Sequence, residues 1–301
     1  MYHYVRNIQD SSFPEIKGLE FESFKRQLDF LNKKFSIISY KDLVLSLKGE
    51  SNLPKNPCWL TFDDGYKDHY QFVFRELKSR GIEGSFFVPV FPILQNKVMD
   101  VNKIHFILAN IQDKNKLLLH VDNLAFKAGI TKEDLLEFKK KLMRPGRYDP
   151  QEVVYIKRML QQALPINIRT SIIKQLFAKF VSNDEADFSC NLYLDVNELS
   201  EMINSGMYIG NHGYSHMWMD KLDKIEQEEE IIKSIQFLKN IGAPTVDWIM
   251  CYPYGGYNSN TLEIVRKFDC LAGVTTIPRI ANLDKDSPYE LPRLNTNDFP
   301  Q

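Results

Sequence analysis

Short apolar runs recur along this chain, and a helical pattern follows nearly every one. Residues 35–40 precede a helical stretch at 42–47. Residues 58–62 (Cys-Trp-Leu-Thr-Phe) precede a helix over about 70–80, where Phe74 and Leu77 share a face and Gly81 supplies the stop. Residues 85–90 follow at once. Residues 207–211 precede a long charged helix from about Ile225 to Asn240, ended by Gly242, and residues 248–252 precede a helix over 259–268. Residues 270–276 and 290–294 read as closing strands. Consecutive strands joined by helices must run parallel, because the helix carries the chain back to the edge it left. The expected fold is therefore α/β with a parallel sheet, closed into a barrel or doubly wound.

One stretch breaks the rhythm. Residues 101–189 hold two of the 14 glycines and none of the three tryptophans, and show long helical patterns at 132–143 and 152–164. Their charges are 15 basic against 10 acidic, while the rest of the chain has 23 against 29. This stretch reads as a helical insertion, either a lid or partner-docking surface or a solvated elaboration that only packs on the core. Across all 301 residues, 38 Lys and Arg nearly balance 39 Asp and Glu, so no global field recruits nucleic acid. No apolar run approaches the roughly 20 residues that span a bilayer. The opening residues lack a basic n-region and an apolar core, and Cys58, Cys190, Cys251 and Cys270 form no C-x-x-C pair. Both features lead us to expect a cytoplasmic protein.

Three segments at the C-terminal ends of expected strands carry chemistry, on the edge where parallel α/β folds build their sites. In the first, Thr61-Phe-Asp-Asp-Gly-Tyr66, two adjacent carboxylates end an apolar strand and are costly to desolvate without compensation. A bound metal would compensate one and lower the pKa of the other; the alternative is a helix N-cap, for which one Asp suffices. In the second, Asn211-His-Gly-Tyr-Ser-His216, two of six histidines stand four apart, a spacing that can place two imidazoles on one ion. Two His and one Asp leave open coordination positions, as in a hydrolytic site. The third, Cys251-Tyr-Pro-Tyr-Gly-Gly-Tyr257, is a Pro- and Gly-bounded loop whose backbone N–H groups could bind an oxyanion and whose tyrosines could stack on a sugar. By itself it reads rather as an ordinary strand-to-helix turn.

In this order the three motifs resemble those of the polysaccharide deacetylase (NodB-homology) family. The resemblance covers about residues 1–100 and 195–301 and leaves residues 101–190 outside as the helical insertion. It implies a distorted (β/α) barrel and metal-dependent removal of an N-acyl group, usually acetyl, from an amino sugar. Carried over by motif, Asp63 is the general base, while Asp64, His212 and His216 hold a divalent metal, commonly zinc. The Tyr254 backbone N–H helps bind the oxyanion, and Tyr66 joins it among the substrate-facing residues. Two departures matter. Cys251 stands where many members have an Arg that orients the catalytic Asp, and Arg293 in Leu-Pro-Arg-Leu is the candidate substitute. No His follows His216 to act as general acid, whereas Tyr2-His3-Tyr-Val resembles the early segment that supplies it in the permuted poly-N-acetylglucosamine deacetylase branch. His3 is thus the expected proton donor, or else a plain N-terminal histidine; His69, His105 and His120 match no motif position.

The expected protein is an amide hydrolase in surface-polysaccharide biosynthesis. Its substrate would be an amino sugar, whether free, nucleotide-linked, lipid-linked or part of an oligosaccharide. Two other classes compete. One is a catalytically inactive carbohydrate-binding protein on the same fold, which Cys251 favours and the intact Asp63/Asp64/His212/His216 set disfavours. The other is an interaction protein docking through its basic helical insertion.

Overall fold

Parallel pairing dominates the backbone. The structure, a computed structural model, describes residues 1–300, and its strands are β1 (Val5–Arg6), β2 (Leu19–Glu20), β3 (Ser36–Ile38), β4 (Pro57–Trp59), β5 (Thr61–Asp63), β6 (Ser85–Val88), β7 (Tyr208–Asn211), β8 (Trp248–Cys251) and β9 (Cys270–Val274). β1 pairs with β2 and β3 with β4, while β5 to β9 form a five-stranded sheet in sequence order, and every one of these ladders is parallel. β6, β7 and β8 are buried at every position, which is why they read as unbroken apolar runs rather than alternating ones. Helix Lys224–Asn240 carries the chain from β7 to β8, and helix Ser259–Lys267 from β8 to β9. Both begin in capping boxes, Asp223 with Glu226 and Asn258 with Thr261.

Two expectations about strands are corrected. The run 58–62 is not one strand: it divides at Leu60, so that β4 pairs with β3 while β5 pairs with β6. Residues 290–294 do not form a regular strand; only Leu291 bridges β9, at Val274. The two edges of the sheet are nevertheless linked. On one side the Tyr2 N–H donates to Thr61 O (2.8 Å) and Asp63 N–H to Tyr2 O (2.9 Å). On the other, Leu291 N–H donates to Gly273 O (2.8 Å), and the Met1 nitrogen reaches Leu294 O (2.9 Å). Irregular segments with single bonds do here what a regular strand would do elsewhere. Phe24, Leu28, Phe62, Phe74, Leu77 and Phe86 form one fully buried cluster, and Trp248, Met250, Tyr252, Ile264 and Val265 another. Each such side chain contributes about 1.5–3 kcal/mol on burial, against at most about 1 kcal/mol for an exposed ion pair, so these clusters hold the sheet.

The chain divides into two compact units, and the sheet lies in the one made of residues 1–7, 18–97 and 189–301. The other, residues 8–17 and 98–188, is helical, with Asp100–Asn110, Lys114–Lys127, Lys132–Leu142, Gln151–Arg158 and Ile166–Phe180 as its main helices. Its interior holds Leu118, Val121, Ile156, Ile173 and Leu176, together with a buried Asp122 that accepts from Tyr155 Oη (2.7 Å) and pairs with Lys139 (2.6 Å). Residues 8–17 group with this unit although their sequence reads with the sheet; Phe13 packs edge-on to Phe106 at 4.9 Å. No helix among the described residues is long and apolar enough to cross a membrane.

Candidate active site

β5 delivers Asp63 to the end of the sheet, and the chain then turns through two left-handed residues, Asp64 (φ 78°) and Gly65 (φ 62°). A side chain at Gly65 would be strained by that φ, and its Cβ would stand 3.0 Å from Val88 Cγ1. The helical run after the motif begins at Lys67 and turns π-helical over His69–Phe74, while the Asp63 carboxylate faces Arg293 and the Asp64 carboxylate faces the two histidines and Tyr66, so neither caps it and the N-cap alternative falls. His212 and His216 follow β7. Their loop is tied to helix Lys224–Asn240 by Glu230, which accepts from Tyr214 N–H (2.9 Å), Ser215 N–H (2.7 Å) and Ser215 Oγ (2.7 Å). Asn211 adds a bond from its Nδ2 to Ser234 Oγ (2.8 Å). His216 and Tyr254 also have positive φ, 57° and 58°. Three residues of the expected site therefore occupy a backbone region that side chains avoid, the pattern of a local geometry held by its surroundings.

Asp64 and the two histidines converge. Asp64 Oδ1 lies 3.2 Å from both His212 Nε2 and His216 Nε2, although Asp64 and His212 are 148 positions apart. Asp64 Oδ2 accepts from Tyr66 Oη at 2.6 Å. His212 Nδ1 lies 2.7 Å from the Cys251 carbonyl. A carbonyl only accepts, so Nδ1 carries the proton and the neutral ring turns the lone pair of Nε2 towards Asp64. A lone pair facing a carboxylate in a dry pocket requires a positive charge between them. Burial disfavours the His212 imidazolium, yet Cys251 and the facing Asp64 carboxylate, with Asp63 behind them, outweigh burial and lift its pKa well above the ordinary value. A divalent cation meets the same demand, and the three donor atoms lie within 4.8 Å of one another. The residues fit a metal.

Asp63 is satisfied differently. Arg293 grips it with two bonds, Nη1 to Oδ1 (2.8 Å) and Nη2 to Oδ2 (2.7 Å). The guanidinium is in turn held by Thr275 O (3.0 Å), Thr61 Oγ1 (3.1 Å) and Cys251 Sγ (3.2 Å). Burial alone would raise the Asp63 pKa, but Arg293 outweighs it and holds the carboxyl well below the usual range. Asp63, His212 and Cys251 are also close enough to be considered as metal donors. That second set is the poorer one: the Asp63 charge is already balanced by Arg293, which leaves only spare lone pairs on its oxygens, and burial pushes the Cys251 thiol up.

His3 follows the Tyr2 bridge to β5, and its charge would act on Asp63, Asp64 and His216. Tyr66 departs from expectation. It is fully buried, stacked on Tyr4 at 4.1 Å, and supports Asp64 rather than facing a substrate. Tyr254 packs edge-on to His216 (4.7 Å) and stacks flat on Trp218 (4.4 Å, 3° between planes), forming an aromatic ledge beside the histidines. Sequence reasoning missed Trp218, Glu230 and His69. Trp218 stands only two residues beyond His216, a signal that was available; Glu230 is lost inside a charged run. His69, assigned no role, is buried with its Nε2 2.8 Å from the His3 carbonyl.

With this geometry in hand, relatedness can be stated. Residues 176–272 match the family model described as polysaccharide deacetylase, a span that includes His212, His216 and the 252–255 loop. The chain thus carries a polysaccharide deacetylase family region. Over 105 residues it is 30% identical to the Bacillus subtilis (strain 168) protein named "Putative polysaccharide deacetylase YxkH", a match spanning 35% of this chain and 37% of that protein. Among solved structures it resembles the Streptococcus pyogenes deacetylase PplD (TM-score 0.58, 17% identity, 98% of this chain and 89% of that one). It also resembles IcaB from Ammonifex degensii (0.55, 19%, 99% and 91%) and the BpsB deacetylase domain from Bordetella bronchiseptica (0.55, 14%, 98% and 94%). At these identities the likeness establishes the fold: mixed α/β with a parallel sheet, of the type found in these deacetylases.

Proposed function

We propose that this protein is a metal-dependent hydrolase that removes an N-acyl group, acetyl by preference, from an amino sugar. The observation that carries the reading is the convergence of Asp64, His212 and His216 beside a separate, ionised Asp63. Asp64, His212 and His216 would hold a divalent ion, zinc by the nature of the donors, which supplies Lewis-acid polarisation when bound. Asp63, kept ionised and oriented by Arg293, accepts a proton from water as the water oxygen bonds to the acyl carbon. General-base assistance of this kind contributes about 10²–10⁴-fold. The Tyr254 backbone N–H donates to the oxygen that gains charge. His3 then gives a proton to the nitrogen as the C–N bond breaks, so that a carboxylic acid and a free amine leave. The ledge of Trp218 and Tyr254 offers a stacking face for a sugar ring. The helical unit contains none of these residues, and a partner-docking role suits it better than a catalytic one.

The test is acetate release from N-acetylated amino sugars presented free, nucleotide-linked, lipid-linked and as oligosaccharides. It is measured before and after chelation and again after zinc is restored. Release that disappears with the metal and returns with it is expected. Glycan binding without release, in protein that holds zinc, would instead favour a catalytically inactive carbohydrate-binding protein.

A further inference from the structure

We propose that Asp68 and His69 clamp the N-terminal segment beside β5, which makes His69 a positioning residue for His3; this rests on the reading of His3 as proton donor. His3 sits between two anchored neighbours. Tyr2 is bonded through its backbone to Thr61 and Asp63, and Tyr4 stacks on Tyr66 at 4.1 Å. The His3 carbonyl itself lies 2.8 Å from His69 Nε2. Three residues on, Arg6 Nε donates to Asp68 Oδ2 at 2.6 Å, with both side chains largely buried. Two consecutive residues, five and six positions after Asp63, therefore grip the segment on both sides of Tyr4 and Val5. His69 also opens a π-helical turn, His69–Phe74, a departure from α-geometry that recurs at functional sites.

Space filling does not explain an imidazole at this position. His69 is fully buried among Phe62, Tyr66 and Phe86. Burial holds its pKa down to about 4, so the ring is neutral and has a single N–H. Donation to the His3 carbonyl commits that hydrogen to Nε2, and Nδ1 is left buried without a partner. A phenylalanine would fill the same aromatic cage with no polar atom of its own stranded. What the imidazole adds is the bond to His3. That bond, with the Tyr2 bridge, fixes the backbone on both sides of the His3 Cα and so limits where its ring can go.

The test uses the full chain with zinc, in the variants His69→Phe, His69→Gln, Asp68→Asn, His3→Ala and His3→Ala/His69→Phe. Hydrogen exchange at the amides of residues 3–6 is followed beside turnover of an N-acetylglucosamine oligomer, with zinc content and melting as controls. His69→Phe is expected to speed exchange in this segment and to lower kcat about 10–100-fold, the scale of a misplacement near 1 Å, with KM unchanged. His69→Gln, whose amide N–H reaches the same carbonyl, restores both. Asp68→Asn, which leaves the aromatic cage untouched, speeds exchange around Arg6 and lowers kcat by less, so the proposal stays open to refutation even where His69→Phe fails to fold. With His3 already removed, His69→Phe costs nothing more. Wild-type exchange and kcat in His69→Phe, or in Asp68→Asn where the former does not fold, overturn the clamp while His3→Ala remains impaired. Wild-type turnover in His3→Ala overturns instead the proton-donor reading, and the positioning role with it. If no glycan is turned over by the wild type, the deacetylase reading fails, and the exchange measurements still decide whether the clamp exists.

Discussion

Asp63 and Asp64 are consecutive and both buried, yet they finish in opposite chemical surroundings. Asp63 meets a guanidinium that satisfies both its oxygens, whereas Asp64 meets two imidazole nitrogens and a tyrosine hydroxyl. The left-handed turn at Asp64 separates the two side chains. The first pocket carries its own counter-charge; the second presents donors that a metal ion would complete. On the proposed reading the two adjacent carboxylates divide the roles of base and ligand without competing, because the protein neutralises one and a metal would neutralise the other.

The sharpest way to break this contrast is to alter Asp64. Asp64→Asn should weaken zinc binding by more than the roughly 10–100-fold that loss of a supporting partner costs, and should abolish acetate release. Metal analysis after dialysis checks it, and an unchanged zinc content would mean that the ion sits elsewhere. Asp63→Asn should do the reverse, keeping zinc while turnover falls about 10²–10⁴-fold; near-wild-type rates would assign base catalysis to another group. Arg293→Met strands a buried carboxylate and should destabilise the protein by about 3–5 kcal/mol at neutral pH, measured by urea unfolding.

The pH dependence of that variant sharpens the comparison. In the wild type the folded Asp63 pKa lies below its unfolded value of about 3.9, so the pair's contribution is complete above that pH and fades only as pH falls towards the folded value. Without Arg293 burial is opposed only by the smaller effects of His3 and His212, the folded pKa rises, and protonation relieves the native state. The stability gap between variant and wild type should therefore narrow on acidification, and the acid limb of kcat/KM should move to higher pH. The smallest effect is expected at the other carboxylate. Tyr66→Phe removes one donor to Asp64 and should lower zinc affinity by about 10–100-fold, with turnover retained at saturating zinc. Undiminished affinity would show the hydroxyl to be dispensable.

Legibility in the sequence differed between the two pockets in the same way. The ligand motifs are local: Asp63-Asp64-Gly65 and His212-x-x-x-His216 each fall at a strand end, so composition and spacing alone single them out. Arg293 could be named only as a candidate substitute, because its partner lies 230 positions away and its strand is irregular. Tyr66 was misread for a related reason. The resemblance placed it among the substrate-facing residues, but burial against Tyr4 and Tyr193 turns its hydroxyl inward to Asp64. The division of residues 58–62 into two strands was equally invisible, since both halves are apolar and only their pairing partners differ.

Local pattern by itself determined the parallel α/β class, the helical character of residues 101–189, and which carboxylates and histidines are candidates for chemistry. These depend on short-range periodicity and on the desolvation cost of charged residues at strand ends, both readable in a few consecutive positions. Only the tertiary structure decided which partners each carboxylate faces, that Trp218 lies against Tyr254, and that His69 reaches the His3 carbonyl. Those outcomes depend on strand register and on the direction of each side chain, and they appear only when segments far apart in the chain are packed against one another.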